Sequence, residues 1–233
     1  MIKVDNIEVW GFEHALRGMR NPYESWDKSD SGLVWKENEN GEDEQVFKIG
    51  ENDLKLAQSL IRAGSEHRKF LRQIFCSVDI TAPLYWWKEF DTYKVGTVSN
   101  STSTMHKLAS TPIAIDCFEM DDFAKEIVDV RSVTDGTKSS SISQIWEKLI
   151  DDLETLRCFY NATKDKRYWK ELIRLLPESW LQKRTITMNY ENILNMVRQR
   201  SNHKLSEWSK SFIEWAKTLP YAEELIFIDG GKE

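Results

Sequence analysis

The chain has 233 residues, of which 40% are hydrophobic, so it can bury a sizeable core and is not a disordered chain. Its formal net charge of −6 argues against general nucleic-acid binding, since proteins that bind phosphate backbones show basic surfaces. The three cysteines are scattered and lack CxxC spacing, which predicts a protein without disulfides or zinc. The sequence has no signal-peptide pattern and no apolar run of membrane-span length. We therefore predict a soluble cytoplasmic protein without a membrane partner.

The first hundred residues predict short strands and helices separated by irregular segments. Alternating apolar residues indicate strands at Ile2–Trp10 and Phe75–Thr81. Helical spacing predicts helices at Phe12–Met19, Asp53–Ala63, Arg68–Ile74 and Leu84–Phe90, the last with Pro83 in its first turn. Ser29–Gly50 is predicted to be a loop or a weak hairpin around Asn40-Gly41, and Val95–Thr104 a loop.

The second half is mostly helical by pattern. A Ser-rich loop precedes the clearest helix, whose apolar face runs from Ile145 to Phe159. Further helices are predicted at Tyr168–Leu175, Tyr190–Gln199 and Leu205–Leu219, with a strand at Trp180–Met188. Because the strands and helices do not alternate regularly, the order favours an α+β fold over a doubly wound sheet.

Common cofactor and catalytic motifs are absent from the sequence. It contains no GxGxxG, GxxxxGK[ST], HExxH or GxSxG pattern. The four histidines, which lie far apart, are His14, His67, His106 and His203. We therefore predict no metal ligand and no catalytic side chain.

The predicted helix after Asn189 carries polar residues along one edge. At 100° per residue, Asn189, Asn192 and Arg200 fall together beside the apolar face. Asn189 and Arg200 are separated by roughly 16 Å along the helix axis. Such a spacing suits an extended ligand with separated polar ends. The alternative, which the helix alone favours, is a polar edge that simply meets solvent.

A Ser/Thr-rich segment, 97–104, offers many hydroxyl groups and backbone amides. Successive amides that point inward can hold an anion, and Lys94, Lys183 and Arg184 are candidate sources of the positive charge that a phosphate prefers. Alternatively, the segment is an ordinary loop.

The block 176–200 begins with Leu-Pro. It resembles a segment of the flavin-dependent thymidylate synthases (the ThyX family), in which a Leu-Pro start leads to a helix with the pattern Asn-x-Arg-x-x-x-Asn-x-x-x-x-Arg. The two align without a gap. Asn189, Asn195 and Arg200 fall on the two Asn and the final Arg of that helix. Glu191 stands where the family has the intervening Arg.

Three upstream positions are also similar to the family. Lys183 falls where the family has a nucleotide-contacting Arg, and His67 resembles the His of its Gly-His-x-Ser element, although Gly64 is displaced from it. The run 82–85, Ala-Pro-Leu-Tyr, is similar to the Ala-Pro-Ile-Phe that precedes the family signature.

That signature is Arg-His-Arg-x-x-Ser-x-Asn-Glu-x-Ser-x-Arg-Tyr. Counted from Pro83, its three leading residues and its first Ser become Thr92, Tyr93, Lys94 and Thr97. Two alignments of the rest remain open. Without a gap, its Asn, Glu and second Ser become Ser99, Asn100 and Thr102. With a one-residue insertion, its Asn and second Ser become Asn100 and Ser103. In both, the leading Arg-His pair and the late Arg are replaced.

The resemblance covers about residues 53–217 and implies an α+β ThyX-like fold, with a mixed, mainly antiparallel sheet and packed helices, in one domain over residues 1–233. It implies methylation of dUMP to dTMP with methylenetetrahydrofolate, bound FAD, NADPH as reductant, and a homotetramer with FAD at subunit interfaces. The implied cofactor-binding residues are His67, Lys94, Thr97, Asn189 and Asn195. The implied nucleotide-binding residues are Asn100, Ser101, Ser103, Lys183 and Arg200.

Two other functions remain open on the sequence. The first is a protein of the same fold that binds a nucleotide or flavin without making thymidylate, which the replaced Arg-His-Arg favours. The second is an assembly protein that uses its tryptophans in the core and at interfaces and binds no small molecule.

Overall fold

We describe the chain from a computed structural model, for residues 1–37, 40–121, 130–131, 139–140 and 142–228. The α-helices of this part are α1 (Phe12–Arg20), α2 (Glu51–Arg62), α3 (Leu84–Phe90), α4 (Thr104–Lys107), α5 (Ile142–Thr163), α6 (Lys166–Leu175), α7 (Tyr190–Arg200), α8 (Ile213–Lys217) and α9 (Ala222–Leu225). The strands are β1 (Lys3–Trp10), β2 (Gly32–Glu37), β3 (Asp43–Lys48), β4 (Phe75–Pro83), β5 (Val98–Ser101), β6 (Val130–Arg131), β7 (Ser139–Ser140) and β8 (Leu181–Asn189). Short 3-10 helices lie at Asn21–Tyr23, Trp26–Lys28, Arg68–Gln73 and Ile115–Cys117, and a π-helix at Glu207–Phe212.

A four-stranded sheet has the order β1-β4-β8-β5, which joins strands far apart in sequence. Two further sheets are antiparallel hairpins, β2 with β3 and β6 with β7. Helices and strands follow each other without a repeating βαβ unit. The predicted α+β class is therefore confirmed.

Two compact units make up the chain, and the larger one contains residues 2–80, 91–100 and 185–233. Its core includes the apolar face of α7, where Ile193 and Leu194 are fully buried. Tyr190 fixes the start of this helix, because its backbone N–H donates to the carbonyl of Ile74 at 2.9 Å and its hydroxyl to that of Pro220 at 2.8 Å. Burial raises the pKa of the Tyr190 phenol.

A buried ion pair joins α1 to α2 within the larger unit. Arg20 Nε lies 2.5 Å from Asp53 Oδ1, and the side chains are 4% and 0% exposed. The other oxygen of Asp53 accepts from the hydroxyls of Ser29 and Ser31 at 2.6 and 2.5 Å. Arg20 also donates to the carbonyls of Ser25 and Lys28 at 3.2 and 3.1 Å. The segment between the two helices is thus tied to one buried carboxylate and its partner.

The smaller unit contains residues 1, 81–90 and 101–184. Its core is a cluster of buried side chains from the connecting segments, α5 and α6: Leu108, Ile113, Phe118, Leu153 and Leu172. Beside that cluster, Glu154 on α5 accepts from the backbone N–H of Ile113 at 2.8 Å and from Arg157 at 2.6 and 2.7 Å. The side chain of Arg157 in turn donates to the carbonyl of Ala109 at 3.2 Å.

Glu154→Gln should lower the free energy of unfolding at pH 7 by about 1 kcal/mol, because an amide replaces a partly exposed carboxylate that accepts charge-assisted bonds. Its bonds with Arg157, helped by the N–H of Ile113, outweigh desolvation and lower the pKa of Glu154 to about 2. The folded pKa lies below the unfolded value of about 4.3, so this contribution is complete above that pH and is lost as the pH falls toward about 2. Urea unfolding at several pH values measures it. Glu147→Gln, on an exposed part of α5, is the control, and a difference that does not change with pH would contradict the expectation.

Most sequence-predicted elements are present, and three expectations need correction. Val95–Thr104 is not all loop, since β5 (Val98–Ser101) pairs with β8 at the sheet edge. Pro83 ends β4 rather than beginning the next helix. The helix predicted for Leu205–Leu219 is a π-helix followed by the short α8. The hairpin around Asn40-Gly41 is confirmed, with Gly32 paired to Lys48 and Glu37 to Asp43. The predicted Ser-rich loop before α5 falls mostly outside the described residues.

None of the described helices is both long and apolar enough to cross a membrane. In the same part of the chain, no group of three or more His, Cys, Asp or Glu side chains is arranged to hold a metal ion. The three cysteines are free thiols, and burial raises the pKa of the Cys76 thiol to about 12.

Candidate functional site

The polar edge of α7 begins with a reciprocal cap. Asn189 has extended backbone at the end of β8, and its side-chain oxygen accepts from the backbone N–H of Asn192 at 3.0 Å. The side-chain oxygen of Asn192 accepts from the backbone N–H of Asn189 at 3.3 Å. Two N–H groups that the first helical turn would leave unpaired are thereby satisfied. Asparagine suits this place because it is among the best helix N-caps.

A turn over residues 93–97 lies against this edge. The amide nitrogen of Asn192 donates to the carbonyl of Val95 at 2.7 Å. Gly96 has φ +79°, and a Cβ there would lie 2.7 Å from Asn189 Nδ2 and 2.9 Å from Asn192 Oδ1. Only glycine combines this backbone conformation with so close an approach. Within the same turn, the hydroxyl of Thr97 donates to the carbonyl of Tyr93, and Lys94 is exposed.

Arg200 lies at the other end of the edge, where the same turn meets it. Its Nε donates to the hydroxyl of Tyr93 at 2.9 Å, and that hydroxyl donates to Oε1 of Gln199 at 2.9 Å. The guanidinium carbon lies 5.5 Å from the centroid of the Tyr93 ring and 5.1 Å from that of Trp208. The sequence singles out Arg200 but does not predict that Tyr93 and Trp208 pack against it. The predicted edge therefore exists, and the turn packs along it instead of leaving it open to solvent.

Asn195 faces a different group, built around Glu191. Its side-chain oxygen accepts from Arg68 at 3.1 Å, and Arg68 Nε lies 3.3 Å from Glu191 Oε1. Arg72 also forms an ion pair with Glu191. The side chain of Glu191 is 10% exposed and that of Arg68 is 5% exposed, so two guanidinium groups neutralise a largely buried acid. The sequence does not predict this cluster, because Arg68 and Arg72 lie more than a hundred residues from Glu191.

His67 is exposed and immediately precedes the 3-10 helix at Arg68–Gln73. It lines a cavity of about 590 Å³ together with Tyr23, Leu60 and Arg72. The cavity lies within the larger unit and has both apolar and cationic lining.

The smaller unit brings three other candidates together. The backbone N–H of Thr102, just after the end of β5, donates to the carbonyl of Lys183 at 2.9 Å, which places the backbone of Ser101 and Ser103 close to that of the lysine. Ser103 uses its hydroxyl oxygen to accept from the backbone N–H of His106 at 3.2 Å.

Arg184, the neighbour of Lys183, stacks over the ring of Trp87 with its guanidinium carbon 4.3 Å from the ring centroid. Its Nε donates to Oε1 of Gln182 at 2.9 Å. The indole of Trp87 donates to the carbonyl of Gln182 at 2.9 Å. Trp87 and its neighbour Trp86 are buried, in agreement with core packing.

Residues 98–101 of the Ser/Thr-rich segment do not form the anion site of inward-pointing backbone amides that the sequence suggested. These residues are extended in β5, and successive N–H groups of a strand point to opposite edges instead of converging on one anion. Asn100 and Ser101 lie in this strand and are exposed. Any anion contact at this place would come from their side chains.

No protein-family model and no curated protein matches the sequence. Solved structures do match the fold over its whole length, among them two from one organism. A flavin-dependent thymidylate synthase ThyX from Helicobacter pylori, complexed with FAD and dUMP, has a TM-score of 0.65 and 16% identity, and the match covers 99% of this chain and 100% of that one. A second structure of thymidylate synthase X from the same organism, also with FAD and dUMP, has a TM-score of 0.66 and 16% identity, with 100% of both chains covered. The predicted ThyX-like α+β fold is confirmed.

Proposed function

We propose that the chain is a FAD-dependent thymidylate synthase-like protein, which methylates dUMP to dTMP with methylenetetrahydrofolate and NADPH. The observation that carries this proposal is the full-length structural likeness to a protein complexed with FAD and dUMP. We also propose, on the family resemblance, that residues 1–233 form one ThyX-like domain and that the protein assembles as a homotetramer. From its cysteine usage and the lack of a signal-peptide pattern, we propose that it is cytoplasmic.

Arg200 and Lys183 are the proposed anchors for the nucleotide, with polar contacts from Asn100, Ser101 and Ser103. A guanidinium presents several N–H donors in a planar fork that matches a phosphate. Lysine supplies a point charge without that fork, so Arg200 is expected to carry more of the orientation. The exposed Asn100 and Ser101 supply neutral hydrogen-bonding groups.

The proposed flavin-binding residues are His67, Lys94, Thr97, Asn189 and Asn195. Their side chains can bind an anionic cofactor with many hydrogen-bonding groups, and Lys94 and His67 are exposed and therefore accessible to it. The amide nitrogen of Asn195 has no hydrogen-bond partner in the part of the chain described. Asn189 already caps α7, so we expect it to set the position of the 93–97 turn as well. A bound flavin would supply the redox chemistry, and the protein would bind and orient it.

Arg200→Ala should weaken dUMP binding by about tenfold or more, equivalent to about 1.4 kcal/mol. The reason is the loss of the fork that we assign to the phosphate. Isothermal titration calorimetry measures the affinity, and Arg62→Ala, an exposed arginine at the end of α2, is the matched control. Equal dUMP affinity in Arg200→Ala and wild type would refute the assignment.

A second candidate function is binding of a nucleotide or flavin without thymidylate synthesis. The observation that favours it is Tyr93, which stands in the family's Arg-His-Arg and has its hydroxyl bonded to Arg200 and Gln199. Deleting a preorganised charge can cost about 2–4 kcal/mol of transition-state stabilisation. Growth complementation of a thymidine-requiring strain separates the two functions, since only an enzyme restores growth.

The visible absorption spectrum of the purified protein, after incubation with FAD and removal of the excess, tests both hypotheses together. A bound-flavin spectrum supports them. A colourless protein that does not retain FAD would contradict the flavin proposal and favour the assembly function.

A further inference from the structure

The hairpin of β2 and β3 stands on a fixed base within the larger unit. Ser31, which precedes β2, donates from its hydroxyl to Asp53 at 2.5 Å and accepts from the backbone N–H of Gly50 at 3.0 Å. The backbone N–H of Ile49, which follows β3, donates to the hydroxyl of Tyr221 at 2.9 Å. Both ends of the hairpin are therefore tied to other segments of the same unit.

The strand β2 exposes three consecutive apolar side chains. Leu33, Val34 and Trp35 are 62%, 39% and 68% exposed. The register with β3 places Leu33 and Trp35 on one face of the hairpin and Val34 on the other, so neither face of β2 is covered. A contiguous exposed apolar patch is typical of a surface that contacts another molecule.

One edge of β2 is open as well. In the part of the chain that the structure describes, its sheet consists of β2 and β3 alone. Proteins usually protect such an edge with charges, proline or a bulge, yet the middle of β2 is Leu-Val-Trp and its charged residues, Lys36 and Glu37, lie at one end. The opposite edge, on β3, is less suited to a contact, because its apolar residues Val46 and Phe47 are already partly buried.

The order of side chains in β2 suits a second copy of the same strand. When two copies pair antiparallel about a two-fold axis perpendicular to the sheet, each side chain stays on its own face, and only residues of the same face lie opposite each other. With the axis at Val34, this residue lies opposite its own copy, and Leu33 lies opposite Trp35 on both sides of the axis. All three apolar side chains are then matched in cross-strand pairs, which stabilise an antiparallel sheet.

The charges of β2 agree with this register. With the axis at Val34, Lys36 lies opposite Gly32 and Glu37 opposite Ser31, so no like charges meet. An axis at Lys36 would instead place this lysine opposite its own copy, and like charges directly opposite each other destabilise a sheet. The register that matches the apolar side chains is therefore also free of charge repulsion between directly opposed residues.

We propose that β2 pairs with β2 of a second copy of this chain, antiparallel and about a two-fold axis at Val34, so that two hairpins form one four-stranded sheet. Addition of a strand to an open edge is a general mode of protein association, and here the edge is complementary to itself. The inference does not rest on the proposed enzymatic function or on the proposed tetramer, since this edge can pair whatever other surfaces the chain uses.

Disulfide cross-linking at the axis tests the proposal. Val34→Cys is made in a Cys117→Ser/Cys158→Ser background, which lacks the two thiols that are not buried. Opposite residues of an antiparallel pair have Cα atoms about 4.5–5.5 Å apart, a separation that a disulfide can span. Lys36→Cys, on the same face of the same strand, is the matched control, because its two copies would lie roughly 14 Å apart.

The rate of cross-linking during mild oxidation is followed by non-reducing gel electrophoresis. We expect Val34→Cys to form the covalent dimer at least about tenfold faster than Lys36→Cys. Adding Trp35→Lys to Val34→Cys should slow the reaction by about tenfold or more, because a charge replaces the aromatic side chain opposite Leu33. Leu175→Lys, at an exposed apolar residue on α6, is the control for that change and should alter the rate by less than about twofold.

Two results would overturn the pairing. Equal cross-linking rates for Val34→Cys and Lys36→Cys would show that the thiols meet by random collision, and a Val34→Cys rate that does not respond to Trp35→Lys would show that the apolar side chains of β2 are not in contact. Either result would leave the open edge to a strand of another protein. The substituted side chains of the hairpin are all at least partly exposed, so the variants are expected to fold, and thermal unfolding checks this.

Discussion

Asp53→Ala should lower the free energy of unfolding by about 3–5 kcal/mol, the range found when one partner of a buried ion pair is removed. The guanidinium of Arg20 is 4% exposed and would remain buried without its carboxylate. The hydroxyls of Ser29 and Ser31 would also lose their acceptor. Urea unfolding measures the change, and Asp27→Ala, at an exposed aspartate in the same connecting segment, should have less than about 1 kcal/mol of effect. A loss below about 1 kcal/mol for Asp53→Ala would contradict the structural role.

The pH dependence of Asp53→Asn supplies an independent check. Burial raises the pKa of Asp53, but the bonds from Ser29, Ser31 and Arg20 outweigh it and hold the pKa below its ordinary value. A carboxyl group whose pKa is lowered by folding stabilises the protein fully above its pKa in the unfolded chain, about 3.9 for aspartate. This stabilisation is lost as the pH falls through its pKa in the folded protein. The stability difference between wild type and Asp53→Asn should therefore be largest near neutral pH and shrink below about pH 4.

Glu191→Arg should be at least as destabilising, although the resemblance has an arginine at this position. The change removes the carboxylate between Arg68 and Arg72 and places a third positive charge beside them. We expect a loss of about 4 kcal/mol or more, from the broken buried pair and the like-charge contact. Glu214→Arg, an exposed position at the start of α8, is the control for the same charge change and should cost less than about 1 kcal/mol.

A second-site change identifies the cause of that loss. Adding Arg72→Glu to Glu191→Arg restores one pair of opposite charges, and Arg72 has a 53% exposed side chain that tolerates the exchange. The double variant should recover about 1 kcal/mol or more relative to Glu191→Arg. Full stability of Glu191→Arg alone would show that the cluster does not hold α7 in place.

Periodicity placed α7 and its polar edge correctly, because a helix presents residues in a fixed angular order. Asn189, Asn192 and Arg200 all contact the 93–97 turn, as their shared edge allows. The ion pairs Arg20–Asp53 and Arg68–Glu191 were beyond the sequence, since no local spacing tells which of many charges meet after folding. Glu191 illustrates the difficulty. It replaces an arginine of the aligned motif, so the sequence suggests a lost positive charge. In the structure its negative charge is balanced by Arg68 and Arg72, which are distant in sequence.

Local composition gives the wrong secondary structure at two places where contacts with distant residues determine it. The Ser/Thr-rich run suggested a loop, yet Val98–Ser101 forms a strand because β8 offers an edge to pair with. Helical spacing in 205–219 does not distinguish an α-helix from the π-helix at Glu207–Phe212, since both bury a similar set of residues.

The close approach at Gly96 gives a rule for finding relatives of this chain. A side chain at position 96 would collide with Asn189 and Asn192, so the three positions can change only together. Homologues that share this connection should have glycine in the turn and asparagine at both helix positions, whatever has happened to the rest of the motif. Such a three-position pattern, tested together with the spacing between its parts, should identify divergent members in which the arginines have been replaced.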